Sequence, residues 1–139
     1  MKRILCFCVG VCGSAVASWF GGFDAGLKTL LVFMAIDYVS GLIVAGVFHK
    51  SPKSANGALE SKAGWKGLLR KGGTLLVVLI CSRLDVMFGT SFVRDAAVIA
   101  YVVNESISIL ENLGLMGVPI PTVVRNSIEA LTKKEEDEE

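Results

Sequence analysis

An all-α integral membrane bundle is the fold class this sequence predicts, and two observations carry that prediction. The first is a pair of long apolar runs near the start. Ile4 to Phe23 holds no charged residue, and Thr29 to Phe48 holds only Asp37. Runs of about 18 or more apolar residues are long enough to cross the hydrocarbon core as helices. The second is where the charges lie. Only 19% of the 139 residues are charged and the net charge is +1, so a basic nucleic-acid-binding surface is not indicated. The charges gather instead in one central segment and one tail. The expected organisation is a transmembrane bundle over residues 1–113, with a basic cytoplasmic loop at 49–71 and a C-terminal cytoplasmic segment at 114–139.

The elements follow in order. Lys2 and Arg3, an apolar stretch and Ala15-Val16-Ala17 also fit a signal peptide with a cleavage site. The run continues past that site to Phe23, which favours a retained helix. Thr29 to Phe48 is the second span. Gly72 to Val93 is a third candidate, interrupted by Arg83 and Asp85. Ala96 to Leu113 is a fourth, interrupted by Asn104, Glu105 and Glu111. Central charges weaken the last two on insertion scales, by roughly 2.5–3.5 kcal/mol each, so three spans is the alternative to four. The segment His49 to Lys71 carries six basic residues against Glu60, and basic loops stay cytoplasmic. With Lys2 and Arg3 also inside, four spans place both termini in the cytoplasm, and Asp24–Lys28 and Arg94–Asp95 become short outside turns.

Within the basic segment, Trp65, Leu68 and Leu69 share one helical face while Lys62, Lys66 and Arg70 share another. That pattern fits an amphipathic helix at the membrane surface, ending at Lys71, with Gly72-Gly73 bending the chain into the third span. The alternative is a solvated loop whose charges only fix topology. After the fourth span, Gly114, Gly117, Pro119 and Pro121 stop the helix. Thr122 can cap a short helix in which Val124, Ile128 and Leu131 share a face, followed by an acidic tail.

Helices in lipid associate through small residues that permit close approach. Gly13, Ala17 and Gly21 recur at spacing four in the first span, and Asp37, Gly41 and Ala45 in the second. Asp37, Arg83, Asp85, Asn104 and Glu105 fall inside proposed spans, where ionisable groups are costly and point to function. Arg83 and Asp85 project to nearly opposite sides of a helix, so the expected carboxylate for Arg83 is Asp37 or Glu105. These groups either pair inside one monomer or line a hydrated interior in an oligomer, and the second reading is favoured. Cys6, Cys8, Cys12 and Cys81 lie in apolar runs with no metal-ligand or disulfide spacing, and His49 has no partner histidine. No nucleophile–base set, phosphate loop, cofactor site or metal cluster is legible, which argues against an enzyme.

Three blocks carry a resemblance. Ala35 to Gly41 (AIDYVSG) resembles the L-D-x-x-T/S-G segment of the phage holins grouped with clostridial toxin-secretion holins. Glu60 to Lys71 (ESKAGWKGLLRK) is similar to that family's basic loop. Asn104 to Asn112 (NESISILEN) followed by Gly117 to Pro121 (GVPIP) is similar to its N-E-x-x-S-I-L-E-N…G-x-P-I-P block. The likeness runs from about residue 30 to residue 131, and the first span shares only its character. The resemblance implies a small bacterial or prophage inner-membrane protein that forms homo-oligomers and permeabilises the bilayer. An endolysin, or in some clusters a toxin, then crosses. It assigns no chemistry to single residues. A small transporter or ion-channel subunit is the alternative of another class, and a non-pore anchor or lysis inhibitor is a third.

Overall fold

The computed structural model describes residues 1–136, and the last three residues of the acidic tail lie outside it. Five helices form the chain: α1 (Lys2–Trp19), α2 (Ala25–Gly46), α3 (Ser61–Phe88), α4 (Phe92–Leu115) and α5 (Thr122–Glu136). No strand occurs among the described residues. α1, α2 and α4 are each long and apolar enough to cross a membrane. α3 is longer, at 28 residues, and more charged.

Local signals explain the boundaries. α1 ends where Gly21 and Gly22 take φ of 82° and 101°, a region glycine enters freely. The Asp24 carboxylate then caps α2 by accepting from the Leu27 N–H at 2.9 Å. α3 stops at Gly89, whose φ of 67° forms a left-handed C-terminal cap. Between α2 and α3, Ser51 N–H donates to the Gly57 carbonyl. A Cβ on Gly57 would sit 2.3 Å from the His49 carbonyl oxygen, so this loop requires glycine there. Pro119 and Pro121 separate α4 from α5, and the Pro121 carbonyl accepts from Val124 and Arg125 at the start of α5. The side chain of Leu131, expected on the α5 face, is outside those described.

α2 is the hub. Its residues Leu27, Leu30 and Met34 pack with Val78 of α3 and Val98 of α4 to form the core. Gly26 faces Val98 and Gly41 faces Asn112, so α2 and α4 run parallel along their length. α3 runs antiparallel to both. Its Gly64 faces Tyr38 near one end, and its Ser82 lies beside Gly21 at the other. α1 differs from α2, α3 and α4, since none of its residues is buried.

Two expectations are corrected. The surface helix and the third span are one uninterrupted helix, and Gly72-Gly73 does not bend it. Both glycines are exposed with nothing near their Cβ positions, so no contact there forces the helix to turn. The outside turns are also displaced: α2 already begins at Ala25, so residues 25–28 are helical, and Arg94–Asp95 is part of the first turn of α4; the links are 20–24 and 89–91.

Candidate functional site

Starting α3 at Ser61 brings Lys71 level with the middle of α2 and α4. Its Nζ lies 2.7 Å from Asp37 Oδ2 and 2.5 Å from Glu105 Oε2. The three side chains are 14%, 7% and 8% exposed, so one ammonium bridges two carboxylates on two other helices in a largely dry setting. Uncompensated charges are expensive there, and pairing with full hydrogen bonding is what makes them tolerable. Asn112 completes the set. Its Nδ2 donates to Asp37 Oδ1 at 3.1 Å, to the Asp37 carbonyl at 3.3 Å and to Ser40 Oγ at 2.9 Å. Gly41 makes room, since its Cβ position is 3.7 Å from Asn112 Nδ2.

The cluster borders a cavity of about 170 Å³, with Asp37, Lys71 and Glu105 in its wall and Ser51 and Ser54 of the α2–α3 loop closing it. That volume holds several waters. The buried charges therefore adjoin a space of mixed polar and apolar lining at one end of the bundle.

A second network sits at the opposite end. Arg94, buried in the first turn of α4, reaches back to the α1–α2 link. Nε donates to the Phe20 carbonyl, and Nη2 to the Gly22 carbonyl at 3.3 Å. Nη1 and Nη2 engage both Asp24 oxygens, at 2.8 and 3.1 Å, and Nη1 also meets Asp95 at 3.1 Å. The Arg94 guanidinium, with the Leu27 N–H, holds the Asp24 carboxyl below the usual carboxylate range. Asp85, at the end of α3, accepts from Thr90 Oγ1 and from the Val93 and Arg94 N–H groups, so it caps α4.

The residues singled out by sequence thus separate. Asp37 and Glu105 meet, but their cation is Lys71 and not Arg83, which is exposed on α3 with no ion pair among the described residues. Lys71 is correspondingly not on the membrane-surface face with Lys62, Trp65, Lys66 and Arg70, all of which are exposed. The cause is helical phase: position 71 lies on the same side as Gly64, Gly67 and Val78, which face the bundle. Asp85 has a capping role. Asn104 is exposed at the cavity rim. Gly41 and Ala45 pack inside the chain against α4 and the α2–α3 loop. Gly13 and Ala17 border an apolar groove between α1 and the bundle, lined also by Leu27, Leu31 and Leu75. Gly21 instead abuts Arg94. Asn112, Arg94 and Asp24 were missed. Asn112 was detectable as the end of a polar stripe with Glu105 and Ser108 at i, i+3 and i+7. No group of three or more metal-ligating side chains occurs among the described residues.

The placement of Gly41 gives a test. Gly41→Leu drives a large side chain into Asn112 and should cost about 1–3 kcal/mol through overpacking. Thermal unfolding in detergent should show it at the monomer level, before any assembly. An unchanged midpoint would remove Gly41 from the α2–α4 contact.

Comparison with known proteins gives one consistent answer. Residues 14–133 match the bacteriophage holin family. A Listeria innocua protein is 38% identical over 128 residues, covering 91% of this chain and 86% of its own. A 14.9 kDa protein from the nagH 3′ region of Clostridium perfringens is 39% identical over 117 residues, covering 83% of each chain. The "probable holin" of Bacillus phage phi105 is 33% identical over 106 residues, covering 76% of this chain and 73% of its own. No solved structure matches the chain.

Proposed function

Because the chain belongs to the bacteriophage holin family, we propose that it accumulates in the bacterial inner membrane, assembles with copies of itself and opens lesions through which an endolysin or a toxin leaves. The observation that carries this reading is the buried Lys71–Asp37–Glu105 cluster beside a cavity large enough for water. Charges packed among apolar helices are costly, and these adjoin a cavity that water could enter. In the monomer one ammonium is shared between the two carboxylates. On assembly, parting α3 from α2 and α4 would expose three ionisable groups to water and line a hole with them.

Four crossings suit this reading best. From Arg70 to Phe88 α3 rises about 27 Å, close to the roughly 30 Å hydrocarbon core. α3 packs antiparallel to α2 and α4 over that stretch, as a crossing helix would. The 47–60 loop and the C-terminal segment 114–139 would then lie in the cytoplasm, in keeping with the basic residues at 50–71. Single cysteines at Asn56 and Glu138, in a chain without its native cysteines, should both be shielded from impermeant reagents in intact cells. Labelling at Glu138 with protection at Asn56 would mean an odd number of crossings after the loop.

The deciding experiment is induction. Expression should halt growth after a delay and collapse the membrane potential, and a co-expressed endolysin lacking a signal peptide should then lyse the cells. Steady, non-lethal expression with flux of one small solute would favour a transporter or channel subunit instead.

A further inference from the structure

The outward face of α3 changes character abruptly. Lys62, Lys66 and Arg70 follow one another at spacing four and are exposed, with Trp65 at 61% and Leu69 at 59% beside them. Beyond Gly73 the same face is apolar as far as Ile80, with Leu76 and Ile80 exposed at 60% and 58%, before the exposed Arg83 one turn on. A helix that passes from headgroups into hydrocarbon shows this order of basic, aromatic and then aliphatic residues. At the boundary, Gly72 and Gly73 carry no side chain and have open space around their Cβ positions. They leave a notch between Leu69 and Leu76, immediately on the bilayer side of the basic residues.

We propose that this face of α3 is a binding site for an anionic phospholipid, with its phosphate between Lys66 and Arg70, Lys62 adding to the field one turn further out, and one acyl chain over Gly72 and Gly73. The proposal rests on α3 crossing the bilayer. Charge complementarity selects the lipid. Three cations along one strip, rising about 12 Å from Lys62 to Arg70, attract an anionic headgroup, whereas a zwitterionic headgroup carries its own ammonium and gains little from them. Lys71 takes no part, because it is committed to Asp37 and Glu105. The Trp65 indole, two turns before Gly72 on the same face, suits headgroup depth and reports on the lipid there. The site would make the protein sense the composition of the leaflet around it.

The test uses the full chain with Trp19→Phe, so that Trp65 alone fluoresces, in phosphatidylcholine vesicles containing brominated phosphatidylglycerol or brominated phosphatidylcholine. Phosphatidylglycerol should quench Trp65 about fivefold more effectively per mole, the preference roughly one surface cation confers. The triple variant K62E/K66E/R70E should quench equally with both lipids while keeping its helical circular dichroism. Should that variant fail to insert, Gly73→Leu fills the notch without changing charge and should at least halve the preference. Equal quenching of the unaltered chain by both lipids at shallow depth would overturn the lipid site and leave the crossing of α3 intact. Strongest quenching by labels near the bilayer centre would overturn both. An undiminished preference in Gly73→Leu would overturn the acyl-chain notch.

Discussion

Replacing Lys71 with methionine should be among the most damaging single changes to this bundle, at about 3–5 kcal/mol, the cost of stranding buried charge by removing one partner of a pair. The substitution keeps the volume of the side chain and removes only its charge. Asp37 and Glu105, 7% and 8% exposed, would then confront each other with no cation between them. Accumulation in the membrane and the thermal midpoint in detergent should both fall. The diagnostic result is rescue. Adding Asp37→Asn and Glu105→Gln makes the site neutral, and the triple variant should recover much of the loss, with a coupling of about 0.5–3 kcal/mol per pair. Strict additivity would show that the three groups do not interact. Arg83→Gln is the control. Arg83 is exposed, and its loss should stay within about 0.5 kcal/mol. If the cluster is also the element that parts on opening, variants that weaken it while still accumulating should trigger lysis early.

The contrast between Lys71 and Arg83 shows what the sequence made legible. α1, α2 and α4 were readable because lipid and core both demand apolar side chains, so hydropathy alone finds such helices. Asp37 and Glu105 stood out as charges in apolar surroundings, and both are in the cluster. Their partner was not readable, because it depends on where α3 begins. Lys71 and Arg83 are twelve residues apart, about 18 Å along a helix. A break at Gly72-Gly73 would have left Lys71 at the surface and put Arg83 at mid-depth. Two glycines cost a helix interior only about 0.5–1 kcal/mol each relative to alanine. That is less than the backbone hydrogen bonds and charge pairing gained by continuing the helix, so packing overrode the local signal. The capping network was hidden for a different reason. Arg94 binds the Phe20 and Gly22 carbonyls, more than seventy residues away in sequence, and backbone acceptors leave no mark in side-chain patterns.

That network sets up the second large effect. α1 buries no residue, and Arg94 ties its C-terminal end to the bundle by gathering Phe20, Gly22 and Asp24 onto α4. Arg94→Met should loosen this corner by about 2 kcal/mol, the scale of hydrogen bonds to a charged group. The Asp24 side chain is half exposed and stays hydrated, which keeps the figure below that of Lys71. Amide exchange at residues 20–24 should quicken by about thirtyfold, as expected for a local opening eased by that amount, while the α2–α4 core holds its protection. Arg94→Lys should resemble Arg94→Met rather than the parent, since one ammonium cannot fork to two carbonyls and a carboxylate. Acid should act on the same corner. The Asp24 carboxyl is held below its ordinary value, so its contribution is fully present above about pH 3.9. It disappears as pH falls through the lower, folded-state value. Exchange at this corner should therefore be flat from neutral pH down to about pH 4, once the intrinsic rate is corrected for, and rise below it. In Arg94→Met the rise should begin at higher pH, because the group that depresses the Asp24 carboxyl is gone. Exchange that is unchanged in Arg94→Met, or a full return of protection in Arg94→Lys, would show that α1 is held by something other than this clamp.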